Sequence, residues 1–489
     1  MPKFFLRVEG VNLANVIFDT DDLSTRRGGG LMVLNATGEV SKVVPNANAI
    51  ATGASIGIFT LEDCTTQDAD TICEKLRKHF FSHELFRHAT FVVSVQEVKD
   101  IGTDSEYQTW QQVITANRWQ QMQSLSMSME GVIEPVNRCS SYPCATDMVR
   151  PANSGERLPK HRNESHDNQL DVSISVLQRH KYGRSARQKF YEAETGVSGM
   201  EFTDEFSEIA THPEDDHSLS NKLAVFYVDG NKFGEKGRGI FQTGGAEQFK
   251  VWSDGLRTHH KDLLRQLLEK AKGDPLWKTR DHEIRLETLL WGGDEIIWVV
   301  PAWKGWELAE WFFEVDHKVS DERLSYSGGL VFCNAKAPIQ NIITLAIRLA
   351  DLAKKDSRVS DMPKHALAYE VLESFDDIPG DLKKHRERWL PENVDVHELI
   401  LDPKRTIWEP LRKIAAMQEF PMRQLYNWCR GWREGKTEAR EKAEKRMESK
   451  VQEAKLDKEF KEIITSDVDY LHLLQMLPYI PESYQKVYL

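Results

Sequence analysis

The segment that most constrains the fold is residues 289–300, LLWGGDEIIWVV. Two apolar runs rich in β-branched and aromatic residues flank two glycines and two acids, which predicts a β-hairpin with carboxylates at its tip. Side chains alternate along a strand, so we expect Asp294 and Glu295 on opposite faces, with only one able to share a metal ion with a neighbouring strand. Gly292 and Gly293 let the backbone pass close to a bulky anionic ligand.

A second apolar strand is predicted at residues 223–228, and it runs into Asp229 and a glycine-containing loop from Gly230 to Gly234. If this strand lies beside the hairpin, Asp229 and Asp294 meet at one end of a shared sheet, and the loop N–H groups face phosphate oxygens. That arrangement suits a Mg²⁺–nucleotide complex. The competing interpretation is structural, with Asp229 as a cap or turn residue and the hairpin as an ordinary polar turn.

These two segments resemble the palm domain of GGDEF-type nucleotide cyclases and polymerases. They most closely resemble the second palm of the polymerase-like large subunit of type III CRISPR effector complexes, the Cas-ten or Cmr-two family. Further stretches follow in the order that family has them: LSYSGGLVFC at 324–333, KAP at 336–338, IRLADLAKK at 347–355 and ALAYEVL at 366–372. A single Gly-Gly-Asp-Glu motif would be weak evidence for this family, but the ordered set of stretches is fairly specific to it.

The resemblance implies a nucleotidyltransferase site. Joining a hydroxyl to an α-phosphate requires charge neutralisation and a lowered hydroxyl pKa, which divalent ions held by two carboxylates supply. Asp229 and Asp294 are therefore the expected catalytic ligands of Mg²⁺ or Mn²⁺, assisted by Glu295. Among the lysines, Lys354 matches the family helix best. Nucleotide contacts are expected from Gly230, Asn231, Lys232, Phe233, Gly234, Gly292, Gly293, Lys336, Lys354 and Lys355.

The sequence departs from the family pattern at two site positions. Asn231 stands where the family loop commonly has a second acid, and an amide can coordinate a hard cation but brings no negative charge. Glu295 replaces the family's second hairpin aspartate with an acid one methylene longer. Both changes are compatible with a palm that binds nucleotide without turning it over.

Composition indicates an ordinary soluble chain. It has 489 residues, of which 40% are hydrophobic and 29% charged, and a net charge of -12. No run reaches the roughly 18 apolar residues that a membrane span requires, and the start reads as a strand rather than a signal peptide, so we expect a cytoplasmic protein without membrane contact. The six scattered cysteines do not form a disulfide framework, and most should be reduced core residues.

The predicted fold class is α+β, with two ferredoxin-like palms, each an antiparallel sheet with helices on one face, and an α-helical C-terminal domain. The predicted divisions are 1–100, a first palm; 101–220, a helical and irregular linking region with a possible mobile segment; 221–378, the second palm; and 379–489, the helical domain.

The first hundred residues show strand, helix, strands, helix, strand. Residues 22–31, DLSTRRGGGL, resemble the arginine–glycine segment of the family's first palm, and are interpreted either as a flexible turn or as a segment near nucleotide or RNA. Residues 52–57, TGASIG, occupy the hairpin position without any carboxylate, so this palm is expected to be catalytically silent.

Two features of the linking region each have a functional and a purely structural interpretation. Residues 178–191 mix cations with aromatics, which suits a phosphate-rich or single-stranded partner such as RNA, and suits a solvated basic face equally well. Zinc is an unlikely cofactor, because Cys139 and Cys144 with His161 or His166 fit the usual ligand spacing poorly. The His-Asp nuclease domain that often precedes the palms in this family is not expected.

The resulting hypothesis is a compact two-palm enzyme that converts an NTP, with ATP expected, into a cyclic or linear oligonucleotide signal in antiviral defence. A non-catalytic palm scaffold that senses RNA or nucleotide is one alternative, and a diguanylate-cyclase-like enzyme is another. The base, linkage, trigger, oligomeric state and any defence-system protein partners are not determined by sequence.

Overall fold

The computed structural model describes residues 3–53, 55–100, 102–124, 139–153, 157–159, 169–214, 217–357, 364–373, 380–388, 390–392, 394–403, 408–417 and 420–480. Within them lies a first four-stranded sheet, a linking region, a five-stranded sheet and a set of C-terminal helices. None of the helices described is long and apolar enough to cross a membrane. The five cysteines whose side chains are described, Cys64, Cys73, Cys144, Cys333 and Cys429, are buried thiols, as predicted.

The first half contains β1 Lys3–Val11, α1 Ala14–Ile17, α2 Leu23–Val43, β2 Ala47–Gly53, β3 Ile56–Glu62, α3 Thr66–Ser82 and β4 Thr90–Val98. Its sheet has the order β2-β3-β1-β4 with every neighbouring pair antiparallel. Asp22 caps α2 by accepting a hydrogen bond from Thr25 N, and Thr65 caps α3 in a capping box with Asp68. The ferredoxin-like topology predicted for this half is confirmed.

The linking region contains α4 Thr103–Gln123, β5 Cys139–Pro143, β6 Pro151–Asn153, β7 Arg157–Pro159, β8 Gln169–Asp171, α5 Ile174–Thr195 and α6 Phe206–Ala210. Helix α5 packs along the length of α2. The two meet at Gly28 and Gly183: a Cβ on Gly28 would lie 1.8 Å from Arg179 O, and one on Gly183 would lie 2.0 Å from Ser24 O. Glycine is required at both positions because the two backbones touch.

The second half contains β9 Lys222–Gly230, α7 Phe233–Gly273, β10 Glu287–Trp291, β11 Glu295–Pro301, α8 Gly305–Glu314, β12 Lys318–Val319, β13 Glu322–Arg323, β14 Tyr326–Asn334, α9 Ile339–Ser357 and β15 Ala366–Val371. Its sheet has the order β10-β11-β9-β14-β15. Strand β15 pairs with β14 in parallel, so the predicted all-antiparallel sheet is wrong at this edge. The reason is that α9 returns the chain to the starting end of β14 before β15 begins.

Helices cover both faces of each sheet, which corrects the prediction of helices on one face. In the second half, Phe226 and Trp298 face the leucines of α7 and α8, whereas Val225 and Ile297 face α9. The first sheet packs α2 and α3 on one face, while α4 and the start of α7 cover the other. The apolar strands are therefore buried on both sides, as their nearly continuous hydrophobicity permits.

The remaining helices are α10 Leu382–Glu387, α11 Trp408–Ala415, α12 Met422–Arg433, α13 Thr437–Glu453, α14 Asp457–Ile463 and α15 Asp467–Met476. Trp428 and Tyr470 stack with ring centroids 3.8 Å apart and join α12 to α15. These residues belong to the same apolar core as α7 and α8. The C-terminal helices therefore pack on the second half rather than on the first.

The two sheets share their first four strand positions. When the strands of each sheet are numbered in chain order, the first four positions across both sheets are the second, third, first and fourth strand. In the first half Gly10 N donates to Ser55 O at 2.8 Å, and in the second half Gly230 N donates to Asp294 O at 2.9 Å. The two halves are therefore structural repeats whose hairpins close against the first strand by the same hydrogen bond.

Candidate functional site

The hairpin and strand β9 lie side by side, as predicted from the sequence. Strand β11 pairs antiparallel with β9, with Glu295 directly opposite Asp229. Residues paired across two strands project to the same face, so the register pairs Asp229 with Glu295 rather than with Asp294. Asp294 sits one residue earlier, in the turn, where its carbonyl accepts from Gly230 N. Asp229 and Asp294 were expected to meet at one end of the sheet with Glu295 assisting; the register puts Glu295 directly opposite Asp229, and Asp294 lies beside them in the turn, within reach of their charges.

Glu295 is held by a tyrosine that the sequence analysis did not single out. Tyr227 precedes Asp229 by two residues on β9, so it lies on the same face, diagonal to Glu295. Its hydroxyl donates to Glu295 Oε1 at 2.7 Å. Burial raises the pKa of Tyr227, and the charges of Glu295 and Asp229 raise it further. A period-two inspection of β9 would have found this residue, because it is the polar group closest to Asp229 on that face.

Lys354 reaches the end of β9, as the resemblance implied. Its ammonium pairs with Asp229 Oδ2 and lies 3.3 Å from Gly230 O. Lys354 stands near the end of α9, which packs on the face carrying Asp229 and Tyr227. Lys355 is the next residue and is exposed.

Asp294 is a weaker acid than an ordinary aspartate. Burial raises the pKa of its carboxyl group to about 6, and the charges of Asp229 and Glu295 add to the increase, while Lys354 opposes it. Three carboxylates thus lie at the same end of the sheet, where Lys354 pairs with Asp229 and its charge also acts on Asp294. A divalent cation would relieve this accumulation of negative charge, and carboxylate oxygens are the donors that Mg²⁺ prefers.

The three acids do not yet form a closed ligand set. In the described part of the chain, Asp229, Asp294 and Glu295 are not a trio whose donor atoms all lie within 4.8 Å of one another. Their chemistry fits Mg²⁺ or Mn²⁺, but a cation bound by all three would require side-chain movement. Lys354 would have to release Asp229 for the same reason.

Asn231 serves the fold instead of the predicted nucleotide or cation. It is 2% exposed, and its amide nitrogen donates to Ser325 Oγ at 3.3 Å and to Lys364 O at 3.1 Å. Ser327 Oγ donates to its amide oxygen at 2.8 Å. Both ends of the side chain are therefore engaged between β9 and β14, which corrects its assignment to the nucleotide site.

The predicted glycine loop is shorter than expected. Gly230 N and Asn231 N are bonded to backbone carbonyls, and Lys232 is left-handed with φ 60°. Helix α7 begins at Phe233, whose side chain is buried in the core. The N–H groups that can face a phosphate are those of the first turn, from Phe233 and Gly234 onward, because they precede the first intrahelical bond.

The hairpin tip faces the first half of the molecule. Gly292 N donates to Glu295 O at 2.9 Å, and Gly293 is exposed. A Cβ on Gly53, in the first-half hairpin, would lie 3.9 Å from Gly293 Cα. Between the halves lies a cavity of about 720 Å³ lined by both hairpins, α2, α5 and α7, including Asn35, Tyr182, Lys189, Arg257 and Trp291.

Lys336 lies at the wrong end of the sheet for this site. Strand β14 pairs Tyr326 with Gly230 at the acid end and Asn334 with Lys222 at the other. Lys336 follows Asn334, and eight strand residues span roughly 26 Å at about 3.3 Å each. Its assignment to the nucleotide site is corrected, because antiparallel pairing separates the two ends of β14.

The arginine–glycine segment is neither a flexible turn nor an open ligand loop. It forms the start of α2, where Arg26 and Arg27 are buried. Arg27 binds both oxygens of Glu287 on β10 at 2.7 and 2.8 Å, and Arg187 of α5 binds Glu287 at 2.7 Å. Arg27 therefore ties the first half to the hairpin strand, and Arg187 ties the linking region to it, whereas the sequence had left a role near nucleotide or RNA open for both.

The basic and aromatic stretch at residues 178–191 is helix α5, and it divides by face. Arg179 and Arg187 are buried, with Arg179 paired to Asp19 at 2.8 Å. Tyr182, Lys189 and Phe190 line the cavity. Of the zinc ligands considered, His161, His166 and the side chain of Cys139 lie outside the described residues, and Cys144 is buried with Sγ 3.3 Å from Thr146 Oγ1.

No protein-family model matches the chain, and no curated protein matches it. Solved structures do match. Csm1 of T. onnurineus aligns at TM-score 0.56 and 11% identity over 99% of this chain and 69% of that one. A Csm1–Csm4 cassette in complex with cA3 aligns at 0.55 and 12%, over 98% and 70%. The same cassette with one ATP aligns at 0.53 and 12%, over 99% and 69%. The chain thus has the fold of Csm1.

Proposed function

We propose that the chain is a Mg²⁺- or Mn²⁺-dependent nucleotidyltransferase that converts an NTP, with ATP expected, into a cyclic or linear oligonucleotide signal in antiviral defence. The observation that carries the proposal is the accumulation of Asp229, Asp294 and Glu295 at one end of the sheet, with Lys354 paired to Asp229, next to the N-terminus of α7. Structures of the same fold were solved with ATP, cA3, cA4 and pppApApA. Those ligands support nucleotide chemistry for this fold, and we assign it to the end of the second sheet that carries the three acids.

The residues of the proposed site have separate roles in binding the cation and the phosphates. Asp229 and Asp294, with Glu295, would hold the cation, which supplies charge neutralisation on the triphosphate and a lowered pKa of the attacking hydroxyl. Lys354, Lys232 and the first turn of α7 are placed to bind phosphate oxygens. Transfer of Lys354 from Asp229 to a phosphate would exchange one anionic partner for another as the nucleotide binds.

The first half is proposed to be the catalytically silent palm of residues 1–100, beside an active palm at 221–378. Glu9 occupies the position of Asp229, because it pairs with Ile56 as Asp229 pairs with Glu295. Arg7 binds Glu9 at 3.0 Å and Arg118 binds it at 3.2 Å. A buried guanidinium group from Arg7 and an exposed one from Arg118 take the place that a cation would need, and an isoleucine replaces the hairpin acid.

A non-catalytic scaffold is the second candidate, and Asn231 is the observation that favours it. The family's second loop acid is replaced by a buried amide whose hydrogen bonds are satisfied within the fold. The remaining acids are drawn to Tyr227 and Lys354. A palm with this arrangement would bind nucleotide or RNA and signal by conformation.

Incubation with each labelled NTP and Mg²⁺ or Mn²⁺, with and without single-stranded RNA, separates these functions. The proposal predicts product from the parent protein and none from Asp294→Ala or Asp229→Ala. Asp321→Ala, a matched control at a fully exposed acid, should keep parental turnover. Turnover of GTP alone would identify a diguanylate-cyclase-like enzyme. Tight binding of nucleotide or RNA without product would support the scaffold.

A further inference from the structure

A histidine and carboxylate cluster lies in the first half, where α2 meets the end of α3, and shares no residue with the acids of the second sheet. Glu39 lies on α2, His79 lies near the end of α3, and His83 is the residue that follows α3. One donor atom from each lies within 4.8 Å of the other two, and this is the cluster of three such ligands found among the described residues. His79 Nε2 is 3.3 Å from Glu39 Oε2, and the two imidazole centroids are 5.3 Å apart.

The spacing suits a metal ion. Residues four apart on a helix are neighbours on one face, so His79 and His83 present their rings together, and Glu39 approaches from the adjacent helix. Bond lengths of about 2.1 Å place ligand atoms of a tetrahedral ion roughly 3.4 Å apart, so the cluster needs only a small contraction. Two imidazoles and one carboxylate select a divalent transition-metal ion over Mg²⁺ or Ca²⁺.

We propose that Glu39, His79 and His83 form a binding site for a divalent transition-metal ion of the zinc class, which clamps α2 to the end of α3. The three side chains are half-buried, with 27% exposure for His79 and 14% for Glu39, which leaves a fourth position for water. The site is independent of the proposed catalytic centre.

Three existing contacts, one at Glu39 and two at His83, must change when the ion binds. Lys42 is paired with Glu39 Oε1 and would be displaced by the ion. His83 Nδ1 accepts from Leu85 N at 3.2 Å and Phe86 N at 3.4 Å. Coordination through His83 Nε2 moves the ring proton to Nδ1 and gives up these two long contacts. All three are weak, since one is an exposed ion pair and the other two are at the limit of hydrogen-bond length.

Helix α2 connects the proposed metal site to the cavity between the halves. Asn35 and Gly38, within one turn of Glu39 on α2, line that cavity. Asn35 Nδ2 also donates to Tyr182 OH at 2.6 Å, which joins the cavity face of α2 to α5. An ion that fixes Glu39 would therefore stiffen one wall of the cavity.

The test is metal binding by the full-length chain after chelator treatment, with millimolar Mg²⁺ present to saturate the acids of the second sheet. Zn²⁺ is titrated by calorimetry, and Co²⁺ is followed by the visible absorption of a tetrahedral ion. One ion should bind per chain and raise the Tm. His79→Gln, His83→Gln and Glu39→Gln should each weaken binding by at least about tenfold. Lys42→Ala should strengthen it, because the competing ammonium is gone.

His282→Asn is the matched control, because this histidine is exposed, lies outside the cluster and has a φ of 66° that asparagine tolerates. It should bind the ion as the parent does. Circular dichroism of each variant checks that it is folded. Absence of a stoichiometric ion in the parent, or unchanged affinity in the folded Glu39 and His79 variants, would overturn the proposal whatever the nucleotide assays show.

Discussion

At the scale of single residues, the site is a balance of charges at the end of β9. Asp229 pairs with Lys354, and Glu295 accepts a hydrogen bond from Tyr227. Asp294 is partly buried beside both acids. The cost of this arrangement falls on Asp294, since desolvation and repulsion both disfavour its ionised form. Its titration and its hydrogen-bonded neighbours are therefore the most direct experimental handles on the site.

The raised pKa of Asp294 predicts a pH dependence of stability. The folded pKa is about 6 and the ordinary value is 3.8, so the folded state binds more protons between these pH values. Stability contributed by this group is present below about pH 4 and is lost as pH rises through 6, by at most about 3 kcal/mol. Asp294→Asn should therefore raise the free energy of unfolding at pH 7 and flatten this part of the profile.

Urea denaturation of parent and variant from pH 4 to 8 measures this effect. Added Mg²⁺ should raise the Tm of the parent at pH 7 and leave that of Asp294→Asn nearly unchanged, since ligand binding stabilises only a competent folded state. A variant less stable than the parent at pH 7, with an unaltered pH profile, would contradict the assignment.

Tyr227→Phe tests the positioning of Glu295. Loss of a hydrogen bond to a charged acceptor should cost about 1.5–3 kcal/mol of stability and leave the core filled, because only the hydroxyl is removed. Glu295 then samples more positions, so the Mg²⁺ concentration giving half-maximal turnover should rise several-fold. Tyr369→Phe is the control: it removes a buried hydroxyl, 2.8 Å from His472 Nδ1, elsewhere in the same sheet. An equal Mg²⁺ shift in both variants would rule out a specific role.

At the scale of elements, the packing of α2 against α5 sets the wall of the cavity. The two helices approach so closely that each glycine at the crossing faces a carbonyl of the other helix. Small residues allow this approach because the backbone itself forms the contact surface. The glycines of residues 28–30, which the sequence linked to a turn or a ligand, are explained in part by this crossing.

Gly183→Ala should break the crossing. The added methyl would lie 2.0 Å from Ser24 O, which forces the helices apart and should cost more than about 3 kcal/mol of unfolding free energy. Gly38→Ala is the matched control on α2, because its Cβ would meet no atom within 4 Å. It should be neutral or stabilising by up to about 1 kcal/mol, as alanine favours the helix. Chemical denaturation measures the unfolding free energies of both variants, and equal stability would refute the packing argument.

At the scale of the whole molecule, a buried ionic cluster joins the two halves. Glu287 of β10 is 1% exposed and binds Arg27 from the first half and Arg187 from the linking region. This cluster supports the strand that leads into the hairpin. The position of the hairpin that carries Asp294 and Glu295 thus depends on contacts made by all three segments.

Glu287→Gln should destabilise the assembly of the halves. Arg27 would lose its paired carboxylate and Arg187 would keep only Asp204, at 3.7 Å, and removing one partner of a buried ion pair typically costs about 3–5 kcal/mol. Glu322→Gln is the control, because its pair with Lys236 is exposed on the surface and should contribute less than about 1 kcal/mol. Thermal and chemical unfolding measure both, and limited proteolysis shows whether the variant loses the docking of its halves. A stable, protease-resistant Glu287→Gln protein would contradict this role.

Much of the fold was predictable from local patterns. The alternation and turn chemistry of residues 289–300 predicted the hairpin, and the apolar run before Asp229 predicted its neighbour; both are confirmed by the register. Lys354 was found through the order of the motifs. The spacing along β9 puts Tyr227 on the face of Asp229, but its bond to Glu295 and the engagement of Asn231 were missed, because a partner on another strand is not visible in that spacing.

The sequence alone determined the strands, the capped helices, the acids at the turn and the ferredoxin-like order of the first half, because these follow from the period of hydrophobicity and from local backbone preferences. Only the tertiary structure decided which acid faces Asp229, that Asn231 is sealed in the sheet, that Lys336 lies at the far end and that Arg27 is an internal tie. Register, strand direction and burial are set by contacts between residues far apart in the chain, and such contacts have no fixed signature in the sequence around either partner.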